Sequence, residues 1–102
     1  MLTSKQRAYL RSLAANEDTI LQIGKGGIGD NLITQVNDAL AARELIKVKV
    51  LDSAMLYPEE AARTLAEAVG AEVVQTMGSK LTLYKRNPKN QKIFLPKQKS
   101  KV

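Results

Sequence analysis

The chain of 102 residues contains no cysteine, no histidine and no tryptophan, and its aromatic complement is three tyrosines and one phenylalanine. Without cysteine there is no disulfide, no thiolate metal site and no thiol nucleophile. Without histidine the usual near-neutral proton shuttle and the serine–histidine pair are gone as well. Only carboxylates and lysines are left to build a catalytic site, so the composition argues against an enzyme, and no residue pattern calls for a metal, a cofactor or a small-molecule substrate. The lack of cysteine is compatible with a reducing cytoplasm. No apolar run approaches the roughly 20 residues of a membrane span, and Met1 to Arg11 lacks the apolar stretch of a signal peptide; both predict a soluble, unexported, cytoplasmic protein with no membrane partner. At 44% apolar residues, a chain of this length buries one modest core and forms one domain.

Acidic residues are also missing from a long stretch. Met1 to Glu72 holds eight Lys/Arg against ten Asp/Glu, net −2, whereas Val73 to Val102 holds eight Lys/Arg and no acid, net +8. Clustered Lys/Arg neutralise phosphates and release condensed counterions, so the asymmetry suits a polyanion partner; it also suits a tail that only solubilises.

Thr3 and Gln6 make a capping box, and Leu10, Leu13 and Ala14 recur at helical spacing, which predicts a helix over residues 4–15 with Arg7 and Arg11 on one face. The β-branched run Thr19 to Ile23 reads as a buried strand ending at glycines. Leu32, Ile33, Val36, Ala39 and Leu40 form the apolar stripe of a second helix that runs to Arg43. In Leu45 to Leu51, Ile46, Val48 and Val50 alternate with Lys47 and Lys49, which predicts a strand with a core face and a wet, positive face. Pro58, Glu59 and Glu60 start a third helix, buried through Ala61, Ala62, Leu65, Ala66 and Val69 and stopped at Gly70. Val73 to Met77 and Leu81 to Tyr84 flank Gly78-Ser79, a two-residue hairpin turn.

The order α-β-α-β-α-β-β predicts a single layered α/β domain with a mixed four-stranded sheet. Right-handed crossovers put the crossover helices on one face and leave the other free or covered by the first helix. The domain is expected over residues 1–86. Residues 87–102 read as a basic tail, extended or partly disordered, in which Ile93-Phe94-Leu95 is apolar enough to dock.

Gly24-Lys25-Gly26-Gly27-Ile28-Gly29 lies between the first strand and the second helix. Taken as G-x-G-x-x-G it matches a dinucleotide fingerprint, with Asp52 near the end of the next strand where a ribose acid would sit. The chain, however, is too short for two mononucleotide halves. The nucleotide-phosphate loop fails because no Lys-Ser or Lys-Thr follows. Taken as G-x-x-G, the bare backbone of Gly24, Gly26 and Gly27 with the charge of Lys25 lets a nucleic-acid backbone approach a helix N-terminus. The same glycines also serve as a plain strand-to-helix turn. Asp30, read as capping the second helix, would repel an anion there.

Three runs, Ile23-Gly24-Lys25-Gly26-Gly27, Glu44-Leu45-Ile46-Lys47-Val48-Lys49 and Gly78-Ser79-Lys80-Leu81-Thr82-Leu83-Tyr84-Lys85-Arg86, appear in order and at the expected spacing. Through them the chain, from about Leu2 to Pro96, resembles the CRM domain in its stand-alone bacterial form, the YhbY-like proteins. The resemblance implies an RNA-binding α/β fold similar to the C-terminal domain of translation initiation factor three, with the G-x-x-G loop at Gly24, Lys25, Gly26 and Gly27. It further implies association with ribosomal RNA in precursors of the large ribosomal subunit, as an assembly factor. Lys97 to Val102 extends beyond the family's usual close.

The candidate RNA contacts are Gly24, Lys25, Gly26, Gly27, Arg7, Arg11, Lys47, Lys49, Lys80, Lys85 and Arg86. Each basic residue alone is more often a solvated charge than a ligand, and Lys47 and Lys49 also read as residues that keep a sheet face soluble. If the glycine loop and the first helix share one edge, Lys25, Arg7 and Arg11 form a continuous strip. Tyr84 is expected in the core rather than stacked on a base. The rival function is a protein-interaction module whose basic tail binds an acidic partner.

Overall fold

The computed structural model describes residues 2–89 and 91–95. The Thr3 hydroxyl accepts from the Gln6 amide at 3.0 Å while the Gln6 side chain accepts from the Thr3 amide at 3.1 Å, closing the expected capping box over α1 (Ser4–Ala14). The elements that follow are β1 (Thr19–Ile23), α2 (Asp30–Arg43), β2 (Leu45–Val50), a short 3-10 turn at Asp52–Ala54, α3 (Pro58–Val69), β3 (Glu72–Met77) and β4 (Lys80–Tyr84). This is the predicted order with one unpredicted turn added.

The sheet runs β1-β2-β4-β3. β1 and β2 are parallel, while β4 lies antiparallel to both β2 and β3. The hairpin strand β4 therefore fills the gap left by the β2-α3-β3 crossover, and β1 and β3 become the edges. Gly78, with φ of +60°, opens the two-residue hairpin turn and supplies a backbone state that other residues adopt at a cost.

Register assigns the faces. Ile46, Val48 and Val50 face the same side as Leu83, Leu81 and Ile23, and there α2 and α3 pack through Val36, Leu40, Ala61, Leu65 and Val69 to build the main core. The opposite face carries a smaller cluster, in which Leu10 and Ala14 of α1 cover Leu45, Val74 and Tyr84. Of the two arrangements the sequence allows for that face, free or covered by α1, each holds in part: α1 covers the Leu45–Tyr84 end, and among the described residues no helix covers the rest. Among the described residues no helix is long and apolar enough to cross a membrane.

Beyond Tyr84 the described residues form no further helix or strand, yet they stay tied to the domain. Ile93 and Leu95 pack on the smaller cluster, and Phe94 between them is 69% exposed. Glu44 holds this segment. Its side chain is fully buried, and its carboxylate accepts from the amides of Asn87, Lys92 and Ile93, each at 2.7 Å. The extension Lys97 to Val102 lies outside the described residues.

Candidate nucleic-acid interface

The glycine segment is a tight reversal between β1 and α2. The Gly27 amide donates to the Gly24 carbonyl at 2.9 Å, which places Lys25 and Gly26 at the tip of the turn, both exposed. Gly27 has φ of +67°, so the turn itself demands glycine there. Gly26 and Gly29 are different: a Cβ on either would meet nothing within 4 Å, so packing does not exclude a side chain. Their bareness leaves backbone open to close approach from outside. Asp30 does not cap α2 as expected. Gly29 is the N-cap, without a side-chain hydrogen bond, and Asp30 is the first helical residue. Asp30 lines the same shallow depression as Gly24, Gly26 and Gly27, so a phosphate settling there would meet its carboxylate.

The strongest concentration of free positive charge lies instead on the sheet. α1 covers the Leu45–Tyr84 end of its face, leaving beyond it two rows, the first half-buried with Thr82 fully so. In the first, Thr19, Lys47, Thr82 and Gln75 stand side by side across the strands; in the second, Gln22, Lys49, Lys80 and Met77 do. Neither row contains a carboxylate. Gln22 closes the second row at β1 and also lines the glycine depression, so the row runs continuously into the turn. Across four strands spaced about 4.8 Å apart, each row is roughly 14 Å long.

Arg11 reaches the same place from α1. With Ser12 and Ala15 it walls a groove of about 500 Å³ whose floor includes Lys47, Thr82 and Gln75. Lys49 and Lys80 are direct cross-strand partners, an arrangement of like charges that works against the sheet. Among the described residues, no hydrogen bond or ion pair engages the side chain of Arg11, Lys25, Lys47, Lys49 or Lys80.

The other candidates are placed differently. Arg7 donates from its guanidinium to the carbonyls of Val73 and Val74, where the β3 register slips. That is the edge opposite the one bearing Lys25. Arg7 and Lys25 therefore do not form a strip, because α1 crosses the back of the sheet toward β3 and not along β1. Lys85 donates to the carbonyl of Val69 at 2.7 Å and reaches Asn37 at 3.5 Å, tying the end of β4 to α3 and α2. Arg86 is exposed beside it, near enough to Glu44 to help hold that carboxyl low. Tyr84 is 4% exposed, as expected of a core residue, and burial together with the Glu44 charge pushes its phenol up. Sequence reasoning missed Gln22, Gln75, Thr82 and Met77 because they carry no charge; the order β1-β2-β4-β3 brings them beside the lysines. Asp52 lies at the start of the 3-10 turn, and the neighbouring Ser53 hydroxyl comes 3.9 Å from where a Cβ on Gly24 would sit.

A family model described as the CRS1 / YhbY (CRM) domain matches residues 2–85. The chain is 45% identical over 96 residues to "Probable RNA-binding protein YqeI" of Bacillus subtilis strain 168, covering 94% of this chain and 100% of that one. It is 38% identical over 103 residues to a protein of Methanocaldococcus jannaschii also named a probable RNA-binding protein, covering 99% of this chain and 76% of that one. Among solved structures, the solution structure of a hypothetical protein from Staphylococcus aureus aligns with a TM-score of 0.75 at 50% identity, covering 94% of this chain and 100% of the other.

Proposed function

The chain belongs to the CRS1 / YhbY (CRM) domain family, and from that premise we propose that it binds RNA, without turnover, across the open half of its sheet and the glycine turn. The observation that carries this is the convergence of Arg11, Lys47, Lys49 and Lys80, drawn from three elements, on two rows free of carboxylate, the second of which ends through Gln22 at the Lys25 turn. Placing Lys49 opposite Lys80 costs the fold; a polyanion lying over both reverses the sign of that interaction. Arg7, Lys85 and Arg86 contribute through the domain's structure, since the first two are committed to backbone carbonyls.

The RNA is ribosomal, in a precursor of the large subunit, as the likeness to the stand-alone bacterial proteins implies, and the protein acts as an assembly factor in the cytoplasm. Sedimentation of a native lysate through a density gradient, with and without nuclease, tests this. Co-migration with large-subunit precursors that nuclease abolishes is the expected result. A profile confined to light fractions and indifferent to nuclease would overturn it in favour of a protein partner.

Lys25 gives a test at the glycine turn. Substituting Lys25→Ala should lower the dependence of log K on log salt by about 0.7–0.9, the amount carried by one phosphate contact. An unchanged slope would reduce the turn to a chain reversal.

A further inference from the structure

Surface depressions elsewhere on the domain are poorly suited to an anion. The one at the glycine turn holds Asp30, the one beside Tyr57 holds Asp52, and the one beside Tyr9 holds Glu17. The depression beside Asn37 contains no acid, but its Lys85 is bonded to the Val69 carbonyl. The groove between α1 and the sheet differs from all of these. Its rim carries Arg11 and Lys80, its floor is formed by the buried Thr82 and by Gln75, whose amide is partly exposed, and Met77 stands at its open side, 66% exposed.

Charge alone does not require such a shape. Duplex RNA is met at its phosphates and 2′-hydroxyls, which protruding lysines contact without a cleft. A concave site with cations at the rim, hydrogen-bonding groups at the base and a polarisable apolar side chain at the mouth fits something with an edge, a flat face and an attached phosphate. Its volume of about 500 Å³ falls within the range of roughly 300–1,000 Å³ typical of sites for small organic ligands. Met77 supplies a soft surface for a ring, and the amide of Gln75 both donates and accepts.

We propose that this groove receives an unpaired nucleotide of the bound RNA, its base over Met77 with its edge toward Gln75, and its phosphates on Arg11 and Lys80. The inference rests on the RNA-binding reading and adds to it a preference for single-stranded or bulged segments. The strand leaving the groove follows the row Met77, Lys80, Lys49, Gln22 toward the Lys25 turn.

The test compares two RNAs by fluorescence anisotropy at fixed salt: a blunt duplex, and the same duplex with a short single-stranded overhang. The wild-type protein should bind the overhang form at least about fivefold more tightly, the low end of what an accommodated base contributes. The double substitution Gln75→Ala with Met77→Ala should bring that ratio near one. Ala15→Trp, which fills the groove from its exposed helical wall, should do the same without touching the strands. Equal affinity of the wild-type protein for both RNAs would overturn the proposal while leaving RNA binding intact. Retention of the ratio in both variants would also overturn it. Binding to neither RNA would sink the proposal together with the reading beneath it.

Discussion

Replacing Glu44 by alanine should cost the fold about 3 kcal/mol, seen as a fall of roughly 12–24 °C in thermal midpoint for a domain of this size. Glu44 is the one charged side chain among the described residues that is fully buried. Its carboxylate takes three amide donors from the segment after β4, and hydrogen bonds to a charged acceptor contribute about 1.5–3 kcal/mol each. The total loss is smaller than their sum because the released segment can detach and return its amides to water. The cost of Ile93 and Leu95 leaving the smaller cluster then sets the limit. The backbone of Glu44 is also unusual, with φ of +67°, a state that costs a non-glycine residue of order 1–3 kcal/mol. It persists because the Glu44 amide donates to the Leu40 carbonyl at 2.8 Å and its carbonyl accepts from the Lys85 amide at 2.9 Å. Glu44→Gly relieves the backbone and still loses the carboxylate, so it should recover only part of the loss. If Glu44→Gly were as stable as the wild type, the carboxylate network would be irrelevant to the fold.

The same residue sets an acid limit. Burial acts to raise the Glu44 carboxyl, but the three amide donors and Arg86 outweigh it, so the group lies below its ordinary value of 4.5. A carboxyl with a depressed value in the folded state stabilises the fold above its unfolded value and loses that contribution as pH falls through the folded one. Stability of the wild type should therefore decline below about pH 4.5. Glu44→Gln, already destabilised at neutral pH, should show a flatter decline over the same window in chemical denaturation.

The helices and strands were legible where one residue type settles the matter. Pro58, Glu59, Glu60 and Gly70 bound α3, and the Ile46-Lys47-Val48-Lys49-Val50 alternation assigns both faces of β2. Strand order was not legible, because a hairpin strand inserted between β2 and β3 leaves no mark on the periodicity of either neighbour. The groove was therefore out of reach: Arg11, Lys80, Gln75 and Met77 are far apart in sequence and become neighbours only through the register. Arg7 and Lys85 read as candidate RNA contacts, since a sequence does not reveal which long side chain will find an open carbonyl. Glu44 did leave a signal. With a helix ending at Arg43 and a strand starting at Leu45, a single residue makes the connection, and a reversal that abrupt requires a left-handed backbone that glycine normally provides. A glutamate there indicates that its side chain is anchored.

Replacing both Lys49 and Lys80 by glutamine should weaken RNA binding about 25- to 60-fold at 0.1 M salt and leave the thermal midpoint unchanged or slightly raised. The size follows from counterion release: two lost phosphate contacts remove about 1.4–1.8 from the slope of log K against log salt, and the loss at 0.1 M is that power of ten relative to 1 M. The direction of the stability change follows from the register. Lys49 and Lys80 are directly opposed on neighbouring strands, and separating like charges at such a pair gains roughly 0.2–1 kcal/mol. A pair of lysines that served only solubility would show no loss of RNA affinity on removal. A pair that served the fold would show a lower midpoint. Weaker binding combined with undiminished stability arises only if the two charges are held together for a ligand, and titration of one structured RNA at several salt concentrations, alongside thermal melts of the same preparations, separates the three outcomes.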